Sequence, residues 1–196
     1  MARTARQLLV WFHAITSIGW LTLALCLCTL LATSTAESIA AAEILDVKLL
    51  QHLGTSGAFS GLMLSALTQW GYFRYWWVLA KFTITIGQLY AGVFLLSPRL
   101  SIAEPGDTTT LVVGSALMAG AFAFQAWLSV AKPWRQTPWT RKRLKPDLPA
   151  WMFLAAIAIP VFDFVFWRFV FGAPAPVLSL LVALIFPFWR VRALRT

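Results

Sequence analysis

"KPWRQTPWTRKRLKPD", residues 132–147, decides the fold. It holds six basic residues, a single acid and two tryptophans between two apolar runs, 109–131 and 150–171. A run of about 20 apolar residues is long enough to cross a bilayer's hydrocarbon core as a helix. Basic residues beside such a run mark its cytoplasmic end, and tryptophan favours the headgroup level. The stretch therefore reads as a cytoplasmic loop joining two spans, with Trp134 and Trp139 at the membrane surface.

Working outward, apolar segments recur at 8–33, 49–70 and 77–97 on one side of this loop and at 174–189 on the other. The expected fold is an all-α polytopic membrane protein with six transmembrane helices. Residues 1–131 form a four-span unit, 132–148 the basic loop and 149–196 a two-span hairpin with a basic tail. The last segment is the shortest, and the charges argue that it crosses. With both termini cytoplasmic, Arg3, Arg6, Arg74, the six basic residues of the loop, Arg190, Arg192 and Arg195 share one side, 12 of the 16 in the chain. Glu37, Glu43, Asp46, Glu104 and Asp107 collect on the other. The expected location is the plasma (inner) membrane, multi-pass.

Composition agrees. The chain is 60% hydrophobic and 12% charged, about half the charge of an ordinary soluble domain. The net charge of +9 is then an orientation signal, and nucleic acid is not an expected partner. The apolar run after the basic N-terminus is too long for a signal-peptide core, so it reads as a retained first span. Cys26 and Cys28 point about 200° apart on a helix and neither bond each other nor share a metal. "STAE", Ser34 to Glu37, has the form of a capping box. The alanine-rich stretch after it reads as a short external helix or an extension of span two.

Ionisable and amide side chains inside spans are costly and face the bundle interior. At about 1.5 Å per residue, His13, Lys81 and Gln125 fall at one level near the cytoplasmic face. Asp163 and Gln88 fall deeper and form a second layer. Asp163 stands out within "IPVFDFVFWRFVF", residues 159–171; its expected partner lies on another helix. Arg168 is near the span end and snorkels to the headgroups. Gly57 and Gly61 form a G-x-x-x-G face for close helix approach, within the chain or in a homodimer. Arg141, Lys142, Arg143 and Lys145 of the basic loop are either a plain orientation signal or a dock for anionic lipid at the cytoplasmic face or for an acidic membrane partner.

"LLVWFHAITSIGWL" in the first span, "WGYFRYWWVLAKF" entering the third and "SVAKPWRQTPWTRK" leaving the fourth resemble a family of small bacterial four-span integral membrane proteins, distantly related to the copper-resistance protein D-like family. The resemblance covers residues 7–141. It implies the four-span unit and, through the copper-handling relatives, metal or redox work. The chain departs from those relatives in lacking Met-rich and His-rich clusters. No hydrolase or phosphate-loop motif is present. The expected function is therefore non-enzymatic: binding or transport of a small solute or ion, or service as an accessory subunit of a membrane complex. No cofactor is expected. The alternative is a haem- or metal-binding redox subunit, with His13 as the candidate ligand. His13 and His52 lie too far apart in depth to share one iron.

Overall fold

The computed structural model describes residues 2–138, 148–170 and 176–193, the last seven of these by backbone alone. Every element is helical. α1 is Ala2–Thr33, α2 Ala36–Leu45, α3 Gln51–Leu67, α4 Trp76–Tyr90, α5 Ser97–Leu100, α6 Thr109–Ala131, α7 Ala150–Val170 and α8 Val177–Ala193. Two π-helical segments, π1 (Asp46–Leu50) and π2 (Ala91–Leu96), join α2 to α3 and α4 to α5 without a break. Among the described residues there is no strand, only one bridge between Tyr75 and Gln136.

Four helical stretches are long and apolar enough to cross a membrane: α1, Trp76–Leu100, α6 and α7. Their outward faces are those of a membrane protein. Ile18 is 63% exposed, Leu117 69% and Phe169 84%, a distribution that only a hydrocarbon solvent tolerates over a whole surface. The helix 36–67 is more polar. Gln51, His52, Thr55, Ser56 and Ser60 run through its middle, and α1, α7 and α8 pack along it.

The helices alternate in direction. At one end, called the near end here, Ala5 and Leu9 of α1 meet Phe59, Met63 and Leu67 of α3 and Phe153 and Ala156 of α7. At the far end Leu27 and Leu31 meet Ile39, Ala42, Leu100 and Leu111. α1 buries Leu9, Thr16, Trp20, Leu23, Leu27 and Leu31, the three- and four-residue spacing of one helical face. α8 returns to the near end, where Val182, Ala183 and Phe186 pack on that cluster.

The capping box lies one residue later than the sequence suggests. Thr35 is the N-cap of α2: its hydroxyl accepts from the Ser38 amide at 3.2 Å, and the Ser38 hydroxyl accepts from the Thr35 amide at 3.1 Å. Ser34 instead adopts a left-handed conformation, φ 52°, and ends α1. Its hydroxyl accepts from the Gly106 amide at 2.8 Å and from Thr108 at 3.0 Å, tying the two far-end loops together. The stretch after the box continues into α3 as one helix, because both ends of π1 keep right-handed helical backbone.

Candidate functional site

Lys81, Thr85 and Gln88 are spaced four and three apart on α4 and so lie on one face. That face meets Ser129, Gln125 and Met118 of α6. Lys81 Nζ donates to Ser129 Oγ at 2.6 Å, and that hydroxyl donates to the Gln125 carbonyl at 3.0 Å. Thr85 donates to Gln125 Oε1 at 2.9 Å. Gln125 Nε2 donates to Gln88 Oε1, and Gln88 Nε2 donates to the Met118 carbonyl at 3.1 Å. The result is a ladder along the α4–α6 seam, with Gln88 and Gln125 both buried.

His13 belongs to the α1–α3 seam. Its Nδ1 lies 3.1 Å from both the Gly57 carbonyl and Ser60 Oγ. A carbonyl only accepts, so Nδ1 carries the proton. Gly61 lets the ring approach: a Cβ there would stand 2.9 Å from His13 Cε1. The Gly57 and Gly61 face is thus filled by α1, with Thr16 and Ser17 over Gly57. Lys81 and His13 belong to different seams, and no hydrogen bond joins them among the described residues.

Asp163 and Gln88 do not hydrogen-bond each other. Gln88 is engaged by Gln125 and Met118. Asp163, only 3% exposed, turns both oxygens to the start of α8. Oδ1 accepts from the Leu178 amide at 3.2 Å and Oδ2 from the Ser179 amide at 2.8 Å. The first amides of any helix lack partners within it, and α8 begins deep in the bundle, level with the middle of α7. Asp163 serves as its N-cap from a neighbouring helix, where the carboxylate also opposes the positive end of the helix dipole. Arg168 is half-buried, and among the described residues its Nη1 is buried without a partner.

The largest polar surprise is elsewhere. A cavity of about 300 Å³ lies in the far half of the bundle, between α1, π1–α3, π2 and α6. Its walls are mostly apolar, including Trp20, Ala24, Leu27, Leu96 and Met118. Asp46 lines it and is only 6% exposed. Asp46 Oδ2 accepts from Ser97 Oγ at 2.6 Å and from Gln51 Nε2 at 3.4 Å. No cation pairs with Asp46 among the described residues. Gln88 of the seam ladder closes the inner side of the same cavity. The two π segments face each other across it. In π1 the Gln51 amide reaches back five residues to the Asp46 carbonyl, and in π2 the Ser97 amide does the same to Gly92. Such π turns are frequent at functional sites because they reorient side chains. Here they place Asp46, Gln51 and Ser97 together.

Sequence reasoning assigned Asp46 to the outer loop charges and passed over Gln51 and Ser97. A signal was available: Asp46 sits ten residues beyond the Ala36 start of a continuous helix, about 15 Å along it at 1.5 Å per residue.

At the near end, residues 68–76 and 132–138 pair. The Thr137 amide donates to the Arg74 carbonyl at 2.9 Å and its hydroxyl to the Phe73 carbonyl at 2.6 Å. Lys132 Nζ stands 5.0 Å over the Trp70 ring, beside Tyr75 and Trp77. Trp139, Arg141, Lys142, Arg143 and Lys145 lie outside the described residues. Cys26 and Cys28 are unpaired. Among the described residues no three His, Cys, Asp or Glu side chains converge as a metal site. His52 packs edge-on against Phe164, centroids 4.4 Å apart. It is on the same helix as the Gly57–Gly61 face that receives His13, about 10 Å from the middle of that face at 1.5 Å per residue.

No protein-family model matches the chain, and no curated protein or solved structure resembles it significantly.

Proposed function

We propose that this is a six-crossing plasma-membrane protein, both termini cytoplasmic, that binds a small amphiphilic cation in the far-half cavity. The observation that carries this reading is Asp46. A carboxylate in an apolar setting requires a compensating partner, and Ser97 and Gln51 supply hydrogen bonds but no positive charge. An alkyl amine meets both demands: its ammonium group pairs with Asp46 and its chain lies along Trp20, Leu27 and Met118. The volume suits a compact ligand. A 150 Å³ apolar cavity holds benzene, so about 300 Å³ holds about a dozen non-hydrogen atoms.

The remaining crossings are supported by helix direction and charge. The helix 36–67 runs from the far end to the near end, and α8 runs from the level of Asp163 to the near end. The near end then carries Arg3, Arg6, Arg74, Lys132 and Arg135, the basic side of a bacterial-type topology.

The test is binding of ω-bromo-octylamine to purified protein in micelles, read through the Trp20-dependent part of its tryptophan quenching (wild type minus Trp20→Phe). Asp46→Asn keeps the acceptor for Ser97 and removes the charge. It is expected to weaken amine binding at least tenfold and to leave binding of the neutral ω-bromo-octanol unchanged. Equal amine binding by wild type and Asp46→Asn refutes the reading.

A further inference from the structure

A second hollow of about 510 Å³ opens on the outside of the same seam, between α4–π2 and α6. Its mouth is apolar and faces the lipid: Leu95 is 49% exposed, Val113 53% and Leu117 69%. Gly87 and Gly114 form part of its floor. Gln88, Leu96 and Met118 line both this groove and the interior cavity. The partition between lipid and cavity is therefore one layer of side chains.

That layer is made of side chains alone. Gln88 crosses it, donating to the Met118 carbonyl and accepting from Gln125 Nε2. Leu96 lies across the bare backbone of Gly114, where a Cβ would stand 2.5 Å from its Cδ2. Leu96 belongs to π2, a segment with no buried residue. Leucine and glutamine side chains change rotamer on short timescales when their surroundings permit, and this partition has lipid on one side and open volume on the other. Arg99 stands at the far-end rim of the groove, and no other cation lines it among the described residues, so an amine that crosses the gate in its neutral form meets no second positive charge on the way.

We infer that the cavity is loaded sideways from the bilayer, through the groove between α4–π2 and α6, with Gln88 and Leu96 as the gate. The ligand class follows: a membrane-dissolved amphiphile whose amine crosses the gate toward Asp46. This inference rests on the cavity being the ligand site.

Substitution at Gly87 tests the route. It lines the groove and not the cavity, and a Cβ there meets no atom within 4 Å, so Gly87→Phe starts from open space and projects its ring into the groove. Gly120 has equally open space and lies outside the groove, so Gly120→Phe is the control. Val113→Phe fills the groove from its other wall and serves if Gly87→Phe folds poorly. Stopped-flow quenching of Trp20 by ω-bromo-octylamine in nanodiscs gives both rate constants. An obstructed route slows entry and exit alike and leaves the equilibrium untouched. Association and dissociation are each expected to fall at least tenfold in Gly87→Phe with Kd within twofold of wild type, and Gly120→Phe is expected to match wild type. Wild-type rates in both groove variants, with binding still weakened by Asp46→Asn, overturn the lateral route and leave the cavity standing. A changed Kd in the groove variants also overturns it, since the groove is then part of the site. No quenching in wild type, or quenching indifferent to Asp46→Asn, removes the cavity reading itself.

Discussion

Asp163→Ala strips two amides, one buried and one part-buried, of their acceptor. The amides of Leu178 and Ser179 sit 3.2 and 2.8 Å from the two carboxylate oxygens, and among the described residues no carbonyl accepts from them. Each stranded buried donor costs about 1–3 kcal/mol, and loss of the charge at the helix terminus adds up to about 2 kcal/mol. The expected loss is about 3–5 kcal/mol, concentrated at the junction of α7 and α8. Asp163→Asn keeps one acceptor and loses the charge, so about half that loss is expected. Val161→Ala, on an exposed position of the same helix, is expected to stay within about 0.5 kcal/mol of wild type. The assay is hydrogen exchange in micelles, read at peptides covering Leu178 to Leu180. At 1.4 kcal/mol per tenfold, a 3 kcal/mol loss raises exchange there about a hundredfold, while α6 keeps its protection. Unchanged exchange at those amides in Asp163→Ala, or an equal rise throughout the bundle, refutes the capping role.

Gly61→Ala brings a methyl to 2.9 Å from His13 Cε1 and is expected to cost about 1–3 kcal/mol by overpacking; adding His13→Ala to it is expected to recover part of that in chemical denaturation. Gly120→Ala, with open space at its Cβ, is expected to stabilise by about 0.5–1 kcal/mol, raising the thermal midpoint. Gln88→Leu leaves the Gln125 amide and the Met118 carbonyl without their partner, and a loss of about 2–4 kcal/mol is expected, checked by the same denaturation series. Thr35→Ala is expected to cost about 1 kcal/mol at the α2 start. Ser34→Gly relieves a left-handed residue and loses two hydrogen bonds, so it is expected to expose the Gly106 loop to exchange without fraying α2.

The helical class, the principal apolar spans and their alternation were legible because hydrocarbon imposes a length and composition on each crossing helix. Lys81, Gln88 and Gln125 were legible as interior residues for the same reason: a polar group in an apolar run has to turn inward. Their partners were not. Depth along a helix is readable from 1.5 Å per residue, but which neighbour a face meets depends on rotation and packing. So Gln88 was matched in depth with Asp163, while packing gives it to Gln125. The partner of Asp163 was invisible for a different reason. It is backbone, created only because α8 starts inside the bundle, and no residue type announces that. Asp46 was legible as a far-side charge but not as a buried one, because its helix begins before the membrane-like apolar run does. The π segments that aim it inward leave no mark in hydropathy. The capping box was placed one residue early because Ser34-x-x-Glu37 and Thr35-x-x-Ser38 overlap, and backbone conformation alone chooses between them.

The π turns at Asp46–Leu50 and Ala91–Leu96 have a consequence for how the site arises over generations. A π turn holds one residue more than the α turn it replaces, so a single inserted codon creates it and a single deleted codon erases it. Erasing π1 rotates everything before it by about 100° relative to α3, carrying Asp46 away from Ser97 while every apolar span stays intact. The Asp46–Ser97 contact is thereby separable from the capacity to sit in a membrane. A variant with one residue deleted from π1 is expected to keep its apolar spans and lose that contact, with no substitution at Asp46 required.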